Sequence, residues 1–347
     1  MKLERIAYAL VIVIALAVIL VQTKNVLIPF VLAVMIWIMI RQLQKAAAWI
    51  RVGGKPLPSW ISGTMAFAAI FLALGLVVSL LTTNIKGINE VLPKYQGNLL
   101  ALNESLRSEL GLDLQGQLDH FSEGFDVATL LTGLFNSLTV IFGNAFLVVI
   151  YVAFLMLEER HIRPKLMVIV PEQQKRERNL DLLREVDRSL SRYVTLKTAI
   201  SLFTGALSYV ALIIIGVDFA FFWAFVIFAL NYIPTIGSMI ATTFPALIAA
   251  LQFGGSEQAL WVLGAVGAIQ VLVGNVLEPR LMGNTLNVSP LVVLLSLAFW
   301  GSLWGVVGMV LAVPITVMLV IGLAQFPTTR WVAVLLSEKG VVGNGST

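Results

Sequence analysis

FAFFWAFVIFALNYIPTIGSMIATTFPALIAAL, residues Phe219 to Leu251, contains no Asp, Glu, Lys or Arg, yet its middle holds the polar, helix-breaking run Asn231-Tyr232-Ile233-Pro234-Thr235-Ile236-Gly237. Unpaired backbone groups at membrane depth are tolerated only where protein or a water-filled cavity surrounds them. The break therefore predicts a substrate site lined by Asn231, Pro234, Thr235 and Gly237. The simpler alternative is that Pro234 and Gly237 only kink a helix while Asn231 ties two helices together. A second uncharged stretch, Val288 to Ala324, is broken by Gly301, Gly305, Gly308 and Pro314. Interrupted elements in two places are the sequence mark of a solute path in a secondary transporter. The two stretches have 33 and 37 residues, whereas one span takes about 20. Each is either a broken, tilted helix or a hairpin that turns inside the membrane.

Working outward, 59% of the residues are hydrophobic, 12% are charged and the mean hydropathy is +0.93. Soluble domains carry about 25% charge, so the expected fold is an all-α, polytopic helical membrane protein. The pattern gives about eight apolar segments, two of them long and interrupted, plus a small extracytoplasmic helical domain. The first run, Ile6 to Val21, lies behind Lys2 and Arg5 like a signal peptide. Its small-residue triplet Ala15-Leu16-Ala17 sits inside the apolar run instead of after it, which predicts a retained span. Val26 to Ile40 follows after four residues, predicting a tight helical hairpin. Trp60 to Leu81 and Leu138 to Leu157 are the third and fourth runs, Val194 to Gly216 the fifth, and Ala259 to Leu277 the seventh.

Loop charges orient these spans. Arg41, Lys45, Arg51 and Lys55 stand without an acid among them, whereas Asn84 to Ser137 holds three basic against seven acidic residues. The positive-inside rule then places the amino terminus and Glu158 to Arg192 in the cytoplasm, and both arrangements of the interrupted stretches return the carboxyl terminus there. The expected organisation is three spans over 1–83, an outer domain over 84–137, a fourth span over 138–157, a cytoplasmic segment over 158–193, a transport region over 194–326 and a tail over 327–347. In the outer domain, Ile88, Leu92, Tyr95, Leu99, Leu102 and Leu106 form a seam at heptad spacing. It packs either on the chain's own Leu130 to Phe135 or on another subunit. On the inner side, Leu180, Leu183, Val186, Leu190 and Tyr193 share a helix face opposite Arg184, Arg188 and Arg192, predicting a helix along the membrane surface.

Near the end of the seventh run Asn275 and Glu278 are three apart and can face one cavity. Arg280 follows Glu278 closely, and a neighbouring guanidinium favours the ionised carboxylate. This predicts a gate or ion-coupling pair, or else a structural salt bridge. Asp218 and Glu257 fall at turns, where solvation is expected. Gly264, Gly267 and Gly274 suggest close helix packing.

Other chemistries find no support. There is no cysteine for disulfides or thiolate metal sites, and no Gly-x-x-x-x-Gly-Lys-Ser/Thr loop for ATP. His120 and His161 fall on opposite sides of the expected topology, which leaves no metal site. The net charge of +4 and pI of 9.4 reflect basic loops beside spans and carry no aromatic interleaving of the kind that binds nucleic acid. No cofactor is expected.

Ser191-Arg192-Tyr193-Val194-Thr195-Leu196-Lys197-Thr198-Ala199-Ile200-Ser201, the Asn231 to Ser238 break, Gly274-Asn275-Val276-Leu277-Glu278-Pro279-Arg280-Leu281-Met282-Gly283 and Phe299-Trp300-Gly301 through Val313-Pro314 resemble the autoinducer-2 exporter family. Order and spacing match over nearly the whole chain, most specifically from Ser191 onward. The resemblance implies a bacterial inner-membrane, multi-span homo-oligomer, a pentamer, without an ATPase domain. It implies export of the furanone signal autoinducer-2, or sodium or lithium/proton antiport. The partners are then a small polar solute, a proton or sodium ion, and the lipid bilayer. The class set against a secondary transporter is a passive channel or assembly platform. A channel needs a polar pore-lining stripe, which none of the spans shows.

Overall fold

The computed structural model describes residues 2–47, 51–52, 55–56, 58–110, 145–169, 172–283, 287–338 and 340. The elements are α1 (Lys2–Gln22), α2 (Lys24–Ala47), a two-residue antiparallel pair β1 (Arg51–Val52) and β2 (Lys55–Pro56), α3 (Ser59–Leu110), α4 (Ala145–Ile169), α5 (Gln173–Ile215), α6 (Ala220–Leu230), α7 (Ile236–Phe253), α8 (Ser256–Leu272), a π-turn (Val273–Leu277), α9 (Glu278–Met282), α10 (Pro290–Ala324) and α11 (Arg330–Leu336). Among the described residues six helices are long and apolar enough to cross a membrane, and α6 is a shorter apolar helix. The protein is an all-helical, multi-pass membrane protein, with that small pair as its described β-structure.

The chain divides into two compact units. The first comprises Met1–Phe67, Asn144–Leu196 and Met282–Thr347. Here Arg41 gathers α2, α4 and α5: its guanidinium meets both oxygens of Asp187 at 2.6 and 3.2 Å and Glu159 at 3.1 Å, and lies over the Trp37 ring. Only Arg offers the planar fork that serves two carboxylates and stacks on an indole at once.

The expected loop-joined hairpin between the first two runs is not present. Single-residue Thr23 separates α1 from α2, its N–H donating to Ile19 and its carbonyl accepting from Leu27. Antiparallel helices need a loop of about two to five residues, so the junction is a bend. Its cause is local: the Thr23 hydroxyl donates back to the Ile19 carbonyl, and the Trp304 indole N–H donates to the Leu20 carbonyl at 3.0 Å. Side chains that enter the helix ladder bend it.

α10 doubles back. Gly305 has φ 64° and ψ −145°, a backbone region open essentially to glycine. A Cβ on Gly308 would strike the Trp300 carbonyl, and one on Gly301 would meet Met309 at 2.8 Å. Residues eight apart on a continuous helix are separated by about 12 Å, so Pro290–Trp304 and Val306–Ala324 are arms of a hairpin. Pro314 is buried in the second arm.

The second unit comprises Ala68–Gly143 and Lys197–Leu281. Its core is Leu212, Phe222, Trp223, Ile227, Ala249, Val262 and Val266, with Trp223 stacked on Phe244. α5 ends in a Schellman motif: Gly216, at φ 82°, donates to Ile213 while Val217 donates to Leu212. α7 stops at Gly254, which is left-handed at φ 66°. The chain reverses at Gly254, and α7 packs against both α6 and α8.

Two sequence expectations change here. The amphipathic stretch Leu180 to Tyr193 is no separate surface helix, because it runs into the fifth span within the single 43-residue α5. The outer seam lies on the 52-residue α3, where Tyr95 is buried in the second unit's core. Leu130 to Phe135, its expected partner, and His120 lie outside the described residues.

Candidate functional site: a polar seam facing a broken helix

α5 is amphipathic in the reverse sense over its second half. Lys197, Ser201, Thr204 and Ser208 recur every three or four residues and are all buried, whereas Leu202, Phe203, Ile213 and Ile214 are exposed. In water this pattern would leave an apolar surface bare and polar groups desolvated; in lipid it is the stable orientation, with polar groups directed to a protein interior. The fifth span thus carries a polar stripe turned inward. Thr204 answers its own need by donating to the Ile200 carbonyl, whereas the Ser208 hydroxyl has no partner among the described residues.

The broken stretch faces the stripe. α6 ends in tightened turns, with Tyr232 N–H donating to Ala229 and Ile233 N–H to Leu230. Pro234 then contributes no N–H. Thr235 has φ 62° and ψ −61°, and Ile236 N–H reaches the Pro234 carbonyl at 2.6 Å. This is the rare, strained form of the three-residue turn, occupied by a β-branched residue. Strained backbone persists where its surroundings over-determine it, and it concentrates at functional sites. Gly237 completes the reversal: a Cβ there would strike the Leu230 carbonyl. The stretch is thus a helical hairpin with its tip at residues 231–235.

Three polar contacts join the stripe to what it faces. Asn231, buried, donates its amide to the Ser201 hydroxyl at 3.0 Å. The Thr198 and Tyr232 hydroxyls share a hydrogen bond of 2.6 Å. Lys197 donates its ammonium to Glu278 Oε1 at 2.5 Å, the lysine side chain being 4% exposed and the glutamate 23%. Glu278 reaches this position because the π-turn Val273–Leu277 adds a residue's worth of rotation just before it. Such turns bend helices and are frequent at functional sites.

The sequence-derived residues distribute as follows. Asn231 and Gly237 are buried at the tip, Pro234 is half-buried beside them and Thr235 is exposed. Asn275 sits exposed within the π-turn. Glu278 takes Lys197 as its partner, while Arg280 is exposed and makes no ion pair with it. Gly301, Gly305, Gly308 and Pro314 belong to the hairpin of the first unit. Among the described residues Gly264 and Gly274 have no neighbouring atom within 4 Å of a built Cβ, and Gly267 has only Thr242 at 3.8 Å, so they make no close helix contact there. Lys197, Thr198 and Ser201 belong to the Ser191–Ser201 motif, which by itself assigns them no role. The signal available was a lysine followed at helical spacing by hydroxyl residues in an otherwise apolar span.

A second polar cluster lies at the far end of the same unit. The Tyr95 hydroxyl donates to Asp218 Oδ2 at 2.9 Å, so Asp218 is engaged and not merely solvated. Burial first, and then the Asp218 charge and hydrogen bond, push the Tyr95 phenol well up from its ordinary value. It remains a donor throughout the neutral range.

The AI-2E family transporter family matches residues 9–327. The chain is similar to the AI-2 transport protein TqsA of Escherichia coli K12, 35% identical over 322 residues that cover 90% of each protein. A Haemophilus influenzae protein named "Putative transport protein" is 32% identical over 332 residues, again 90% of each. "Putative transport protein YhhT" of Escherichia coli K12 is 32% identical over 275 residues, 76% of this chain and 78% of that protein.

Proposed function

The chain belongs to the AI-2E family of transporters, which are not enzymes, and from that premise we propose a secondary transporter that exports a small polar solute of the autoinducer-2 type across the bacterial cytoplasmic membrane. The observation that carries this reading is the inward-turned stripe Lys197, Ser201, Thr204, Ser208 facing the strained tip at Asn231 to Gly237. A polyhydroxylated furanone is neutral and rich in donors and acceptors. Hydroxyl and amide groups that now pair with one another can exchange those bonds for bonds to such a solute at little net cost. Asn231, Ser201, Thr198 and Tyr232 supply that set.

The interior of the bilayer selects this arrangement. A transporter must offer polar groups to its cargo without leaving them bare when empty, and mutual pairing does both. Pro234, Thr235 and Gly237 make the tip, Asn275 lies in the turn before Glu278, and Gly301, Gly305, Gly308 and Pro314 shape the second hairpin. The buried Lys197–Glu278 pair favours a second reading for the same seam, sodium or lithium/proton antiport, with Glu278 and Arg280 as coupling and gating groups. The termini are assigned to the cytoplasm, and the working form to a homo-oligomer, a pentamer on the family resemblance.

Flux of autoinducer-2 into proteoliposomes, with and without a proton or sodium gradient, tests the reading. Saturable, gradient-dependent flux is expected. Non-saturable flux indifferent to both gradients would place the protein among passive channels.

A further inference from the structure

Tyr95 and Asn98 are three residues apart on α3 and so share a face. Tyr95 donates to Asp218; the Asn98 amide donates to the carbonyls of Leu251 and Gln252, both at 2.9 Å. Gln252 closes the circuit, accepting from the Asp218 N–H at 2.7 Å and donating to the Gly216 carbonyl at 2.8 Å. Two side chains of α3 thereby tie together the 216–219 turn and the 252–255 turn. Every one of these bonds uses a side chain, and the carbonyls Asn98 takes are the free ones of a helix end, which water can serve instead. The circuit can open without disturbing a helix.

Its position matters. From Lys197 to Gly216 is 19 residues of α5, about 28 Å of helix rise, close to the roughly 30 Å of a hydrocarbon core. The Lys197–Glu278 pair and the Tyr95/Asn98 circuit thus stand at opposite ends of the α5 segment that carries the polar seam, with buried Leu212 between Ser208 and the circuit. Between them, nearer the circuit, lies the Ser208 hydroxyl, buried and without a partner among the described residues. We infer that Tyr95 and Asn98 form a releasable gate at the end of the seam remote from Lys197, and that its opening admits water and solute to Ser208. The gate rests on the transport reading above for its purpose, but its opening can be measured without transport.

A built Cβ on Gly254 lies 3.6 Å from Asn98 Cβ, within the usual disulfide separation, and the chain has no cysteine of its own. The pair N98C/G254C in proteoliposomes is expected to form the crosslink on oxidation, to lose autoinducer-2 flux by about tenfold and to regain it with reductant. Complete crosslinking with undiminished flux would overturn the gate, as would failure of the folded pair to crosslink. Gly254 is left-handed, so a cysteine there is strained, and a second arm avoids it. Ser208→Cys is reacted with a membrane-impermeant maleimide, applied in turn to each face of sealed vesicles, in otherwise native protein and with Asn98→Ala or Tyr95→Phe added. Faster labelling from one face in the gate variants supports the inference even if no flux of the furanone is found, in which case only the transport reading falls. Equal labelling in all three proteins refutes the gate whatever the flux.

Discussion

Lys197 and Glu278 stand 81 positions apart in the chain and meet at 2.5 Å, the lysine almost wholly enclosed. Neither residue explains itself alone: a buried ammonium requires an anion, and the π-turn before Glu278 delivers one. Removing one partner of a buried pair costs about 3–5 kcal/mol, while replacing both by apolar groups is often neutral. Glu278→Ala is therefore expected to destabilise the protein by about 3 kcal/mol, the low end because Glu278 is partly exposed. Lys197→Met with Glu278→Leu should recover most of that stability. Thermal unfolding in detergent checks the energies. Flux in the stable double variant then separates structure from transport: it should be lost if the pair works in the cycle, and normal flux would assign the pair to folding.

Asn231 and Ser201 test the solute site. Asn231→Ala removes a buried hydrogen bond worth about 1 kcal/mol and leaves a hydroxyl that can turn elsewhere. Expression and oligomer size should be unchanged while flux falls. Ser201→Ala should be costlier to stability, since it strands the buried Asn231 amide. Normal saturable flux from a less stable Asn231→Ala protein would make Asn231 a packing residue.

The glycines divide sharply. Gly237→Ala and Gly308→Ala drive a methyl into the carbonyls of Leu230 and Trp300, and the overpacking is expected to cost at least about 1–3 kcal/mol with loss of flux. Gly264→Ala and Gly274→Ala meet no atom of the described residues within 4 Å and should be neutral, or stabilising by up to about 1 kcal/mol from helix propensity. Paired melting curves decide this. Equal effects at all four positions would contradict the hairpin geometry.

Tyr95 supplies a pH signature. Its phenol is raised in the folded state, first by burial and then by Asp218. The stability it contributes is fully present below the unfolded tyrosine value of about 10 and is lost as pH rises beyond it. Melting temperature should therefore show no Tyr95-dependent change from pH 7 to 9 and an added decline above about pH 10, reduced in Tyr95→Phe. Tyrosinate absorbance should show the Tyr95 transition moving to lower pH after Asp218→Asn.

Much was legible in the chain before any tertiary structure. Long uncharged runs can be stable only in lipid, so composition alone determined a multi-pass helical protein. The Asn231 to Gly237 and Gly301 to Gly308 breaks announced themselves because proline and glycine act on the local backbone, within a few residues of where they stand. Contacts that close over long separations were not legible. Glu278 appeared to belong with Arg280, two positions away, yet a two-residue step on a helix turns side chains apart, and the anion went to Lys197 instead. The stripe from Lys197 to Ser208 passed for an ordinary span because its four polar positions are diluted by apolar neighbours. Only packing against α6 revealed which face is interior. In the sequence Tyr95 reads as part of an outer seam and Asn98 carries no signal; in the fold both meet the 216–219 and 252–255 turns. Local backbone chemistry is written residue by residue; the partner of a buried polar group is decided by which distant helix the fold brings within 3 Å.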